Sequence, residues 1–223
     1  MTTRRKFLTT ASVGGAAALA APAIVQAQST IKWRFQTYAG GALGEHVTKP
    51  VIDYINANSN GELQVELFYA DQIVPTGELF QALQRGTLDG VHSDDDSMAS
   101  PTPLRMFGGY FPFATKHILD VPVLFNQYGL KEIWDAEYAK VGVKWISAAG
   151  QDPCNFNTKK EITSVADLDG LRLYSFPTAG RFLAKFGVVP MNIPYEDAEV
   201  AVQTGELDGM AWSGITEDYT VGW

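Results

Sequence analysis

Asp94, Asp95 and Asp96 stand side by side. Three adjacent carboxylates offer three chemistries: holding a metal ion, accepting hydrogen bonds from solute hydroxyls, or attracting a cationic solute beside aromatic faces. A solvated acidic loop would do none of these. His46, His92 and His117 show neither metal-ligand spacing nor a nucleophile partner, and His46 and His92 read as makers of structural hydrogen bonds. Cys154 is the single cysteine, so no internal disulfide can form and a buried, inert thiol is expected. The chain contains no Gly-x-Ser-x-Gly elbow and no glycine-rich phosphate loop. No catalytic constellation and no cofactor are therefore expected, and no ligand spacing indicates a bound cation. What remains is noncovalent recognition.

The elements that must position such residues occur twice. Residues 82–91 read Ala-Leu-Gln-Arg-Gly-Thr-Leu-Asp-Gly-Val, and residues 201–210 read Ala-Val-Gln-Thr-Gly-Glu-Leu-Asp-Gly-Met, six positions coinciding at an offset of 119. Each copy predicts a helix closed by a left-handed glycine, Gly86 or Gly205, before a short strand at 88–92 or 207–212. Upstream of the first copy, a strand at 31–36, a helix with Val47, Val51, Ile52 and Ile55 on one face, and an alternating strand at 63–69 are expected. Thr76 is the expected N-cap of the next helix. Upstream of the second copy the order is strand 171–176, helix 178–186, strand 188–193 and helix 195–203. Both copies read as βαβαβ parallel sheets, and the intervening segment as a helix at 121–138 and a strand at 141–148. Ligands of open α/β sheets bind beyond the carboxyl ends of the strands, so two such lobes make a clamp around a cleft.

The first 27 residues read as an export signal. Arg4-Arg5 precede an Ala/Gly-rich apolar run, and Val25-Gln26-Ala27 suits cleavage after Ala27. The paired arginines point to the twin-arginine route, with an ordinary secretory signal as the alternative. The run is too short and too Ala/Gly-rich to anchor the chain in a bilayer. The protein is therefore expected in the periplasm. Without the signal, 14 basic residues face 25 acidic ones, a net charge of −11, which argues against nucleic acid or an anionic membrane as partner.

Leu79 to Val91, Lys160-Glu161-Ile162, the run Ser164 to Arg172, Ala179-Gly180-Arg181, Phe186 to Pro190 and Glu206 to Trp212 together resemble the DctP-type receptors of tripartite ATP-independent periplasmic (TRAP) transporters, closest to the branch that binds 2-oxo acids. The resemblance implies a periplasmic receptor that hands a small organic solute, usually a carboxylate, to a two-component membrane permease. It implies a first lobe over 28–148, a second over 149–212, and the start of a return to the first at 213–223. The family's chain goes on to add C-terminal strands and helices, so the resemblance also implies that these are missing, leaving apolar surface uncovered.

Two positions depart from the family pattern. Its carboxylate-anchoring arginine is replaced by Tyr174, and a cation-holding glutamate before the matching tryptophan is replaced by Ala211, before Trp212. Tyrosine offers a carboxylate one neutral hydrogen bond instead of a bidentate charged pair. Arg181, expected in the first turn of the following helix, is the substitute anchor. Tyr174, Trp212, Arg181, Phe156, Asn157, Tyr38 and Asp95 are the candidate ligand-binding residues. The expected ligand is a small organic carboxylate with an apolar or aromatic body. Rival readings are a polyol or cationic solute held by Asp94–Asp96, an exported enzyme using those aspartates with His92, or a binding module for a chemosensory receptor.

Overall fold

β1 (Ile31–Thr37) is the central strand of a parallel sheet ordered β2-β1-β3, flanked by β2 (Leu63–Phe68) and β3 (Gly90–His92). These elements belong to a computed structural model that describes residues 29–108, 113–151, 153–191, 193 and 195–221. The expected signal and its cleavage site lie outside the described residues. The connection from β1 to β2 runs through α1 (Gly41–Val47) and α2 (Lys49–Asn58), and that from β2 to β3 through α3 (Leu79–Gln84). α4 (Asp120–Gln127) and α5 (Leu130–Lys140) follow. The second sheet is ordered β4-β7-β5-β6, from β4 (Phe156–Thr158), β5 (Arg172–Ser175), β6 (Val189–Met191) and β7 (Gly209–Ala211). α6 (Pro177–Leu183) joins β5 to β6, α7 (Tyr195–Thr204) joins β6 to β7, and α8 (Ile215–Val221) comes last. Because β5 is parallel to both β6 and β7, the order β6-β5-β7 repeats β2-β1-β3.

The repeated sequence motif is a repeated clamp. In the first sheet the Asp89 carboxylate accepts the backbone N–H of Arg34 at 2.8 Å, and the Arg34 guanidinium donates to the Gly86 carbonyl at 3.0 Å. In the second, Asp208 accepts Arg172 N–H at 2.9 Å and Arg172 donates to the Gly205 carbonyl at 2.9 Å. Gly86 and Gly205 both hold positive φ, 72° and 84°, as a helix end turning into a strand requires. Leu-Asp-Gly is conspicuous in the sequence because it ties the third strand of each unit to the first.

Four expectations are corrected. The helix expected over 121–138 is two helices, since Gly129 adopts φ 81° between α4 and α5 and interrupts the ladder. No strand forms at 141–148; Val141, Val143 and Trp145 instead pack into the first lobe's apolar cluster. Thr76 does not cap α3: it opens a 3-10 turn, Thr76–Glu78, and donates to the Asp71 carboxylate. The second sheet is mixed, because β4 pairs antiparallel with β7.

Leu79, Phe80, Leu88, Trp134 and Tyr138 centre the core of the first lobe, and Leu168, Leu173, Leu183 and Val188 that of the second. A third cluster joins the two, bringing Ala39 and Leu43 together with Tyr174, Phe176, Met210 and Trp212.

Candidate functional site

Alternation along β5 assigns its side chains to opposite faces. Leu173 packs with Leu183 and Val188, whereas Tyr174 falls in the joining cluster with Ala198 and Ala201 of α7. Phe176, two residues on, shares that face, and its ring meets Tyr174 edge-on at 6.2 Å. Trp212 follows β7 and enters the same cluster, and Tyr38 of the first lobe packs against it. Tyr174 and Trp212 are nearly closed to solvent, 6% and 4% exposed. The structure therefore gathers Tyr38, Tyr174 and Trp212 where the carboxyl ends of β1, β5 and β7 converge. It also adds Phe176, which the period-two pattern of β5 could have indicated.

The backbone beside Trp212 is held by the segment leading into β4. Cys154 Sγ donates to the Trp212 carbonyl at 3.2 Å, Asn155 N–H to the Ser213 carbonyl at 2.9 Å, and Gln151 Nε2 to Ser213 Oγ at 3.0 Å. Cys154 is exposed, not buried as expected. Asn157 sits on β4 and donates to the buried Asp218 carboxylate of α8. Phe156, its neighbour, is 42% exposed and outside the cluster.

Two further candidates lie apart from the aromatic cluster. Arg181 occupies the last turn of the seven-residue α6, not the first, and is exposed. Asp95 is buried in the first lobe, where it accepts Tyr138 Oη at 2.6 Å and Trp134 Nε1 at 3.2 Å. Both oxygens are thus committed to α5, and burial beside Asp95 pushes the Tyr138 phenol above its ordinary range. Asp94 closes a turn by accepting the N–H groups of Asp96 and Ser97, and burial raises its pKa. Asp96 accepts Arg105 Nε at 2.8 Å and the N–H of Thr178 at 2.8 Å. Three carboxylates in a row therefore have three unrelated sets of partners. Among the described residues, no three His, Cys, Asp or Glu side chains are grouped to hold a metal ion.

His92 ends β3 close by. Its Nδ1 lies 2.8 Å from Thr48 Oγ1 and 3.1 Å from Thr37 Oγ1, its ring is edge-on to Tyr38, and burial lowers its pKa. Among the described residues, Asp95, Asp96 and Asp218 are buried carboxylates. Two open depressions lie elsewhere: one of about 360 Å³ beside Gln81, Gln84 and Arg85, and one of about 210 Å³ beside Asn157 and Lys159.

Residues 41–218 match the DctP family model, described as bacterial extracellular solute-binding protein, family 7. The chain belongs to this family. A curated relative, the monocarboxylate 2-oxoacid-binding periplasmic protein of Nostoc sp., is 26% identical over 98% of this chain and 62% of its own length. The ectoine-binding periplasmic protein of Halomonas elongata is 24% identical over 92% of this chain and 59% of its own. A solved TRAP periplasmic solute-binding protein from Chromohalobacter salexigens, with bound (S)-(+)-2-amino-1-propanol, is 69% identical with a TM-score of 0.84, over 87% of this chain and 62% of that one. The chain thus spans about three fifths of the length of these relatives. The architecture is their two-lobed α/β fold.

Proposed function

We propose that this chain is the solute-capturing part of a periplasmic TRAP receptor, and that its solute is a small amino alcohol held between the lobes and passed to a membrane permease. The observation that carries the choice of solute is the amino alcohol bound by the 69%-identical Chromohalobacter protein. The chemistry of the site supports it. An alkyl amine is protonated at neutral pH, and aromatic faces such as Tyr174, Phe176 and Trp212 attract a desolvated cation. Tyr174 supplies a neutral hydroxyl where the family's arginine would repel the amine, and Arg181 is exposed in the last turn of α6. In this reading residues 28–148 and 149–212 are the halves of the clamp, and no chemical step is assigned to it.

A carboxylate is the second reading, favoured by the 2-oxoacid-binding relative. A thermal-shift panel separates the two. (S)-2-amino-1-propanol at a hundred times its dissociation constant should add about 2.7 kcal/mol of stability, while pyruvate at the same concentration adds none. Stabilisation by pyruvate and not by the amine would transfer the site to the acids, and turnover of the bound amine would make the protein an enzyme.

A further inference from the structure

Asp96 connects the two sheets. Its side chain has no exposed surface, and its two oxygens are divided between the lobes: Arg105 Nε on the first-lobe side and Thr178 N–H in the first turn of α6 on the other. That N–H is one of the opening donors of a helix, which no carbonyl within the helix satisfies. A charge from one lobe therefore answers an unmet donor in the other. We infer that Asp96 is a positioning residue for solute capture, a latch that holds the lobes together without touching the solute.

Parting the sheets breaks the bond to Thr178 whether or not a solute is present, while the bond to Arg105 goes with the first lobe and survives. The latch therefore biases the unliganded equilibrium toward the closed arrangement, and apparent affinity rises with the closed fraction. The apolar cluster that also spans the lobes, with Ala39 and Leu43 facing Tyr174 and Trp212, is non-directional and tolerates sliding. A charge-assisted hydrogen bond fixes one approach.

The test measures distance without ligand. Spin labels are placed at Gln64→Cys on β2 and Lys185→Cys beyond α6, both exposed, in a Cys154→Ser background. Asp96→Ala should shift the distance distribution toward longer separations, whereas Arg105→Ala should leave it unchanged. Thr178→Pro removes the donor N–H, in the helical turn that tolerates proline, together with the side-chain hydroxyl. Thr178→Val, which loses the hydroxyl but keeps the N–H, is its control and should leave the distribution unchanged. Thr178→Pro should reproduce the Asp96→Ala shift, and it carries the test if Asp96→Ala does not fold. Dissociation of (S)-2-amino-1-propanol should quicken about tenfold in Asp96→Ala with little change in association. This kinetic readout rests on the amino-alcohol reading; the distance readout does not. A wild-type distribution in Asp96→Ala or in Thr178→Pro, or an equal shift in Arg105→Ala, would overturn the latch and leave Asp96 as a support of the first lobe.

Discussion

Two titrating residues give opposite lobes distinct pH signatures. Asp208 is held down to a pKa of about 2 from 3.8, first by its side-chain hydrogen bond with Arg172. A carboxylate lowered in the folded state contributes stability that is present above the unfolded value and lost as pH falls through the folded one. The clamp's contribution should therefore disappear between about pH 4 and pH 2, and Asp208→Asn should flatten that limb in denaturant melts run across the acid range. His92 acts at milder pH. Burial lowers its folded pKa below 6.5, so the unfolded chain takes up a proton first and stability declines as pH drops below about 6.5. Replacing His92 with Asn should remove that slope while leaving the acid limb intact. The clamp was half legible in the sequence: the repeated Leu-Asp-Gly marked Asp89 and Asp208, but nothing local paired them with Arg34 and Arg172. Asp94–Asp96 were less legible still, because a turn has no fixed side-chain period and each carboxylate found its partner in a different element.

Matched glycines end α3 and α7, and they offer a test at the scale of elements. A Cβ at Gly86 would meet no atom within 4 Å, and one at Gly205 only the Lys159 ammonium at 3.9 Å. Alanine at either site therefore costs backbone strain and little else, about 1–2 kcal/mol for a left-handed residue. Urea unfolding of Gly86→Ala and Gly205→Ala should show similar losses, whereas unequal losses would argue against equivalent turns in the two units. The order of both parallel units could be read from the sequence because the same motif recurred with the same flanking elements. β4 could not: it has three residues and finds its partner, β7, more than fifty positions away. The segment at 141–148 carries apolar residues that suit a strand, yet Val143 and Trp145 serve the first-lobe core without any ladder. Apolar spacing alone does not distinguish pairing from packing.

At the scale of the whole molecule, export and capture are the two claims to test. Replacing Arg4 and Arg5 with Lys should leave precursor in the cytoplasm if the twin-arginine route is used, and unchanged processing before Gln28 would assign the general secretory route. Family membership was readable from the sequence; the solute was not. The arginine anchor was visibly absent, but Tyr174, Phe176 and Trp212 came together only when the strand ends converged, and the place of Arg181 in the last turn of α6 depended on where that helix ended. Capture is tested most directly by calorimetric titration of the mature protein with (S)-2-amino-1-propanol and, separately, with pyruvate. Saturable 1:1 binding of the amine is expected, weakened about tenfold in Trp212→Ala as the loss of an aromatic face to a desolvated cation implies, with no heat from pyruvate. Saturable binding of pyruvate with none of the amine, or amine binding indifferent to Trp212, would contradict the amino-alcohol reading.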